Sequence, residues 1–434
     1  MRFTGRTRTS LLAVTALAAA SGLAGCGSGG SSGGNSNTVT IWSSIDQPVQ
    51  DGLEKALVAK LKSENSKVKI KWQKVENINQ LIITKIQAGD TPDIAFVPQP
   101  GVVQQMKDLG AVKPLDDAVD AGALESSMIP GSLDFSKIDG KLYGLIVSMN
   151  VKGLVFYNKP VFDKAGYTAP TDLAGLQSLT DKVKATGTAP WCFGIESDTA
   201  TGWAATDWIE NLVMKTAGPD VYKDWVAGKV KFDSDEVKSA SEEFEKLVLT
   251  EGNTFGGRKS ITSTNFGTAG NPLFQSPPKC MMLQQGSFIP SFFPKNVVSD
   301  LDTNVGVFGL PPATAGGDNP VEVGGDSMTM LNDSANVKKV VKLLSETEIG
   351  DDAAGSSSFI SPHKDFDATK YPNDLTRDMA DVAYKSTITL FDGSDQMPAA
   401  VGTGSFWKEM TAWISGSEDL SDALKNIDSS YPSS

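Results

Sequence analysis

From Thr38 onward, short β-branched runs alternate with stretches of helical period. Val39 to Trp42 reads as a strand, and Val49 to Leu61 places its apolar residues at helical spacing. A second strand is predicted over Val68 to Trp72, followed by a helical stretch carrying Leu81, Ile82 and Ile86. A third strand over Asp93 to Val97 is broken by Pro98, Gln99, Pro100 and Gly101. Repeated β-α units of this kind predict an α/β chain whose parallel or mixed sheet is covered by helices. Ligands of such sheets bind outside the carboxyl ends of the strands, so the loops after Trp42 and after Phe96 are the first places to look.

Farther along, Tyr143 to Tyr157 reads as two strands broken near Asn150, and Thr171 to Thr186 as a helix. Trp203 to Lys215 reads as an amphipathic segment with two tryptophans, and Val237 to Leu249 as a helix. Asn304 to Leu310 is β-like and ends at Pro311 and Pro312; Glu322 to Leu331 is a strand containing Gly324 and Gly325. Ser405 to Ile414 and Leu420 to Ile427 are helical. No repeat of solenoid period is present.

The N-terminus changes the picture. Arg2, Arg6 and Arg8 precede an apolar stretch, Leu11 to Ala20, that is too short to span a bilayer, so residues 1–25 read as an export signal. Leu23-Ala24-Gly25-Cys26 resembles the lipobox of bacterial lipoproteins, which implies acylation of Cys26 and anchoring on the outer face of the cell membrane. Residues 26–37 are Gly, Ser and Asn-rich, the composition of a flexible tether, so matches there to G-x-G-x-x-G and G-x-S-x-G lack the strand and helix such motifs need. About 409 residues follow the signal, enough for two lobes. The formal charge of −13 falls by three, to −16, once the leader arginines leave. So acidic a chain repels phosphate backbones and argues against nucleic acid.

With Cys26 committed to lipid, Cys192 and Cys280 form a pair in an oxidising compartment. A disulfide is the natural inference, with two buried thiols as the alternative. His363 is the sole histidine, so histidine triads and H-E-x-x-H metal sites are absent, as are C-x-x-C pairs and P-loops. No catalytic residue, metal or cofactor is implied. A two-carboxylate glycosidase stays open by residue count, but no pattern singles out a carboxylate pair. The chain instead scatters aromatic and amide side chains through predicted loops, a composition suited to the flat faces and hydroxyl rims of sugars.

Several segments resemble the bacterial extracellular solute-binding proteins of carbohydrate importers. They are Val39-Thr40-Ile41-Trp42, Gly89-Asp90-Thr91-Pro92-Asp93-Ile94, Gly140 to Gly144, Val151 to Lys159, and Phe406-Trp407. Pro190 to Glu196, Thr201 to Trp208, Lys279 to Met282 and Ser287 to Phe293 resemble the α-glucoside-binding subgroup, paired cysteines included. The resemblance implies a two-lobed periplasmic-binding-protein fold with the ligand cleft at a hinge of several chain crossings. Lobe 1 would take residues 38–147 and 311–360, and lobe 2 residues 148–310 and 361–434. It also implies capture of an α-glucoside-type sugar by a monomer, hinge closure, and delivery to the membrane subunits of an ABC importer. A non-sugar ligand such as a peptide, and a surface adhesin, are the competing readings.

By the same resemblance, Asp46 matches a carboxylate that accepts from sugar hydroxyls, although its position also suits a helix N-cap. Trp407 matches a stacking tryptophan, Phe288 stands where another is found, and Trp203 is a third platform; Trp208 reads as core and Trp42 as either. Val97 replaces a further stacking tryptophan, which implies a shorter or differently posed ligand. Gln99, Asn150, Lys152 and Asp326 complete the candidate ligand-binding set, the last because Gly324-Gly325 lets backbone approach a ligand closely.

Overall fold

Thr38–Ser43 (β1) lies parallel to Lys69–Lys74 (β2) and to Ile94–Val97 (β3), pairing Val39 with Ile70 and Ile41 with Ile94. This computed structural model describes residues 37–432 except 357. The signal, Cys26 and all of the tether but Asn37 fall outside the described residues. Among them, no helix is long and apolar enough to cross a membrane.

Lys137–Ile138 (β4) and Lys141–Leu142 (β5) form a small hairpin, after which Leu145–Val151 (β6) joins the first sheet and Leu154–Asn158 (β7) the second. The second sheet adds Ala189–Trp191 (β8), Cys280–Gln285 (β9) and Val305–Gly309 (β10), in the order β10-β7-β9-β8. Val321–Met330 (β11) returns to the first sheet, where it pairs antiparallel with β3 and β6 and parallel with Thr389–Phe391 (β12). Two α/β lobes result.

The chain therefore passes between the sheets at Lys152-Gly153, again between Leu310 and Pro320, and leaves the first sheet after Phe391. The strand break expected near Asn150 falls at Lys152-Gly153 instead, because Asn150 stays in β6 opposite Gly324. Gly153 adopts φ +65°, and a β-carbon there would lie 2.2 Å from Asn211 Oδ1, so this turn is closed to other residues. Two expected lobe boundaries also shift. Residue 147 lies inside β6, and β12, placed by sequence in the second lobe, pairs with β11 in the first sheet.

Helix Gln47–Ser63 buries Val49, Leu53, Ala56, Leu57 and Leu61 on one face and covers the first sheet. Helix Trp203–Thr216 departs from its amphipathic reading: every residue from Ala204 to Lys215 is buried. Helices Pro219–Val226, Asp235–Phe244 and Trp407–Ser415 pack around it, so its polar positions face partners rather than water. Trp191, Trp208 and Trp225 are fully buried in the same core, and each such ring contributes a few kcal/mol of apolar burial, about 25 cal/mol per Å².

Cys192, directly after β8, and Cys280, at the start of β9, form a disulfide between adjacent parallel strands, with Cα atoms 5.3 Å apart. It closes a loop spanning 88 positions. Replacing both cysteines by serine is expected to lower unfolding free energy by about 2–4 kcal/mol, read as a shifted denaturation midpoint. An unchanged midpoint would show that the neighbouring β-ladder alone fixes these strands.

Candidate functional site

The loop Ser44-Ile45-Asp46 leaves the carboxyl end of β1, where an α/β sheet places ligands. Asp46 occupies the N-cap position of helix Gln47–Ser63, and its side chain makes no capping hydrogen bond; Pro48 in the first turn removes one of the amides a cap would serve. The exposed carboxylate is thus free to face outward into a cavity.

Asp326 reaches the same cavity through an irregularity in β11. Its pairing with β6 shifts register between Gly325 and Ser327, which leaves Asp326 out of the ladder. Gly325 sits at φ +151°, and a β-carbon there would lie 2.6 Å from the Ser148 carbonyl oxygen. Ser44 Oγ donates to Asp326 Oδ1 at 2.9 Å and holds the carboxyl in place. Burial, together with the neighbouring Asp46, pushes the Asp326 carboxyl up to about 6 despite that bond.

The cavity has a volume of about 440 Å³. Four rings line it together with the two aspartates. Trp203 lies 5.1 Å from Phe266 and 5.9 Å from Phe288, and Phe266 lies 5.3 Å from Phe292, centroid to centroid. Asn150 and Ser148, on alternate positions of β6, line it as well, with Ser44, Ser197, Ser291 and Ser358. Aromatic faces, hydroxyls, an amide and carboxylates in one concavity suit a hydroxyl-rich ligand of modest size. Five of the residues singled out from sequence, Asp46, Asn150, Trp203, Phe288 and Asp326, therefore share one cavity.

The structure does not bring Gln99, Lys152 or Trp407 to this lining. Gln99 Nε2 donates to Asp395 Oδ1 at 3.0 Å while its Oε1 accepts from Asn79, and both Gln99 and Asp395 line a separate cavity of about 230 Å³. Trp407 opens helix Trp407–Ser415, and its backbone is so close to Gly202 that a β-carbon there would lie 2.4 Å from its carbonyl oxygen. It stands behind the turn that starts the Trp203 helix. Trp42 is half-buried against a hydrophobic cluster containing Ile78, Ile82 and Val97, and Trp208 lies in the core. Phe266 and Phe292 escaped the sequence reading. Phe292 falls within the segment Ser287–Phe293, whereas Phe266 sits in a loop with no period to mark it.

Lys152 is buried at the first crossing. Its ammonium lies 2.9 Å from Asp207 Oδ1, 2.5 Å from Asp392 Oδ2 and 3.9 Å from Glu322 Oε1, and 5.4 Å from the Trp203 ring centre. Oxygens of these three carboxylates converge within 4.8 Å, the spacing of a cation site, and the ammonium supplies the cation. Burial opposes its charge, yet Asp207, Asp392, Glu322 and Asp395 outweigh it and hold the ammonium protonated. Burial opposes the charge of Asp392, yet its carboxylate lies below the usual range because the charge and hydrogen bond of Lys152, with hydrogen bonds from the Asp395 amide and the Ser394 hydroxyl, outweigh that burial. Burial drives the others the opposite way: Asp207 to about 7, and Glu210, Glu322 and Asp395 well above their ordinary values.

Residues 46–349 match the family described as bacterial extracellular solute-binding protein. The osmoprotective compounds-binding protein GgtB of Synechocystis sp. is 33% identical over 394 residues, covering 91% of this chain and 92% of the relative. The alpha-glucosides-binding periplasmic protein AglE of Rhizobium meliloti is 33% identical over 361 residues, covering 81% and 78%. Among solved structures, the bacterial solute receptor AcbH superposes with a TM-score of 0.75 at 18% identity, over 90% of this chain and 96% of that one.

The buried carboxylates set a pH dependence of stability. An acid whose pKa is raised on folding binds more protons folded than unfolded, so its contribution to stability falls as pH rises from its unfolded value through its folded one. For Asp207 that window runs from 3.8 to about 7, and for Asp326 from 3.8 to about 6; Glu210, Glu322 and Asp395 act in the same sense. The melting temperature is therefore expected to be higher at about pH 5 than at about pH 7.5 by calorimetry, and a melting temperature that rises or stays level over that interval would contradict the protonation pattern. Asp392, shifted the other way, loses its contribution only at more acid pH.

Proposed function

The chain belongs to the bacterial extracellular solute-binding protein family, and from this premise we propose that it captures an α-glucoside-type sugar and delivers it to the membrane subunits of an ABC importer. It is a transport component and not an enzyme. The single observation that carries the sugar reading is the cavity whose lining unites Trp203 and Phe288 with Asp46 and Asp326. The α-glucoside class draws support from the named specificity of the Rhizobium relative and from the paired cysteines. In this reading the protein is a monomer, held on the outer face of the cell membrane by lipid on Cys26.

Mechanism follows from where the lining residues come from. Ser44, Asp46, Ser148, Asn150 and Asp326 belong to the first sheet and its loops, whereas Trp203, Phe266, Phe288 and Phe292 are carried by elements packed with the second. A sugar that stacks on Trp203 and Phe288 and donates hydroxyl hydrogens to Asp46 and Asp326 touches both lobes at once. Its binding energy then favours the closed arrangement over the open one. The carboxylates act as charge-assisted acceptors, and Asn150 and the serines complete the hydroxyl rim.

Titration calorimetry of the chain with maltose, trehalose, sucrose and maltotriose tests this reading, and failure of every carbohydrate to bind would overturn it. For the sugar that binds, Trp203→Ala is expected to weaken affinity by about 1–2 kcal/mol, roughly five- to thirtyfold. Affinity should also fall as pH drops through about 6, where Asp326 gains a proton and ceases to be an anionic acceptor, and Asp326→Asn should flatten that profile. A profile unchanged by the substitution would remove Asp326 from the contact set.

A further inference from the structure

We propose that this cavity is built for a saccharide carrying a protonated amine, with Asp46 and Asp326 as the residues that select it over the neutral sugar of the same shape. The inference rests on the saccharide reading above and adds the charge of the ligand to it.

Among the described residues, the cavity lining contains two carboxylates and neither lysine nor arginine. Lys152 stands beside the Trp203 ring but is already engaged by Asp207 and Asp392, so it does not offset Asp46 or Asp326. Asp46 forms no capping bond, and the Asp326 carboxyl receives one hydrogen bond, from the uncharged Ser44 hydroxyl. When a ligand fills the cavity, both carboxylates lose water without gaining a counter-charge. Neutral hydroxyls return part of that loss. An ammonium returns more, through charge-assisted hydrogen bonds to either carboxylate.

The aromatic part of the lining favours the same ligand. The π-faces of Trp203, Phe266, Phe288 and Phe292 attract cations within about 6 Å of a ring centre, and the ring spacings of 5.1 to 5.9 Å make them one continuous surface. Carboxylates and rings in one lining surround a small cation with complementary charge, while sugar phosphates and uronic acids are repelled. The raised pKa of Asp326 is consistent with this: burial and Asp46 favour its proton in the empty cavity, and an arriving ammonium reverses the balance. Binding near pH 6 then releases a proton.

Calorimetry of the full chain near neutral pH with three probes tests the inference: trehalose, trehalose in which one primary hydroxyl is replaced by an amine, and the N-acetylated form of that amine. The amine is expected to bind about tenfold tighter than trehalose or more, the N-acetyl form no tighter than trehalose, and Asp46→Asn to shrink the difference. Asp46 is exposed and makes no side-chain cap, so this variant keeps the fold. The preference should also diminish with added salt. Equal or weaker binding of the amine, or binding of neither trehalose nor its amine, overturns the inference. The saccharide reading itself falls only if the neutral sugars all fail as well.

Discussion

One buried ammonium holds together the places where the chain changes lobes. Lys152 lies at the first crossing, Glu322 enters β11 directly after the second, and Asp392 follows β12 at the third; Asp207 joins them from the helix that Trp203 begins. The arrangement is costly to take apart. Removing Lys152 alone would leave buried carboxylates without their cation, a change that in other buried pairs costs about 3–5 kcal/mol. Replacing the whole cluster with apolar groups need not cost stability, so its value here is geometric: it fixes the crossings relative to one another and the Trp203 helix relative to them.

That constraint reaches the ligand cavity through Trp203. The ring lies 5.4 Å from the Lys152 ammonium and lines the cavity itself. In the proposed binding mode, stacking of a sugar on Trp203 would act on an element tied to all three crossings, while Asp46 and Asp326 would engage the same sugar from the first sheet. The irregularity that takes Asp326 out of the β11 ladder and the uncapped start of helix Gln47–Ser63 are the local departures that make this possible. Both trade regular local bonding for a carboxylate that lines the cavity.

Much of this was legible in the residues. The β-α alternation of the first hundred residues, the strand at Glu322 and the α/β class follow from period and composition, since those elements bury one face against a sheet. Tertiary partners decided the rest. Helix Trp203–Thr216 reads as amphipathic because Asp207, Glu210 and Asn211 are polar, yet those side chains are buried against Lys152, the Gly393 amide and Glu322. Lys152 looked like a ligand contact for the same reason: a charged residue at a strand break gives no sign of its distant partners. Strand β12, only three residues long, carries too little pattern to be seen. Phe266 has no neighbours in sequence that mark it, and only the fold carries it beside Trp203.

The central claim is that a saccharide occupies the space between the Trp203–Phe288 wall and the Asp46–Asp326 pair. A crystal structure of the chain grown with a disaccharide that binds it tests this most directly. The account predicts a pyranose against the Trp203 ring with hydroxyls in hydrogen-bond reach of both aspartates. Sugar seated instead in the separate cavity beside Gln99 and Asp395, with the four-ring wall left uncovered, would contradict it.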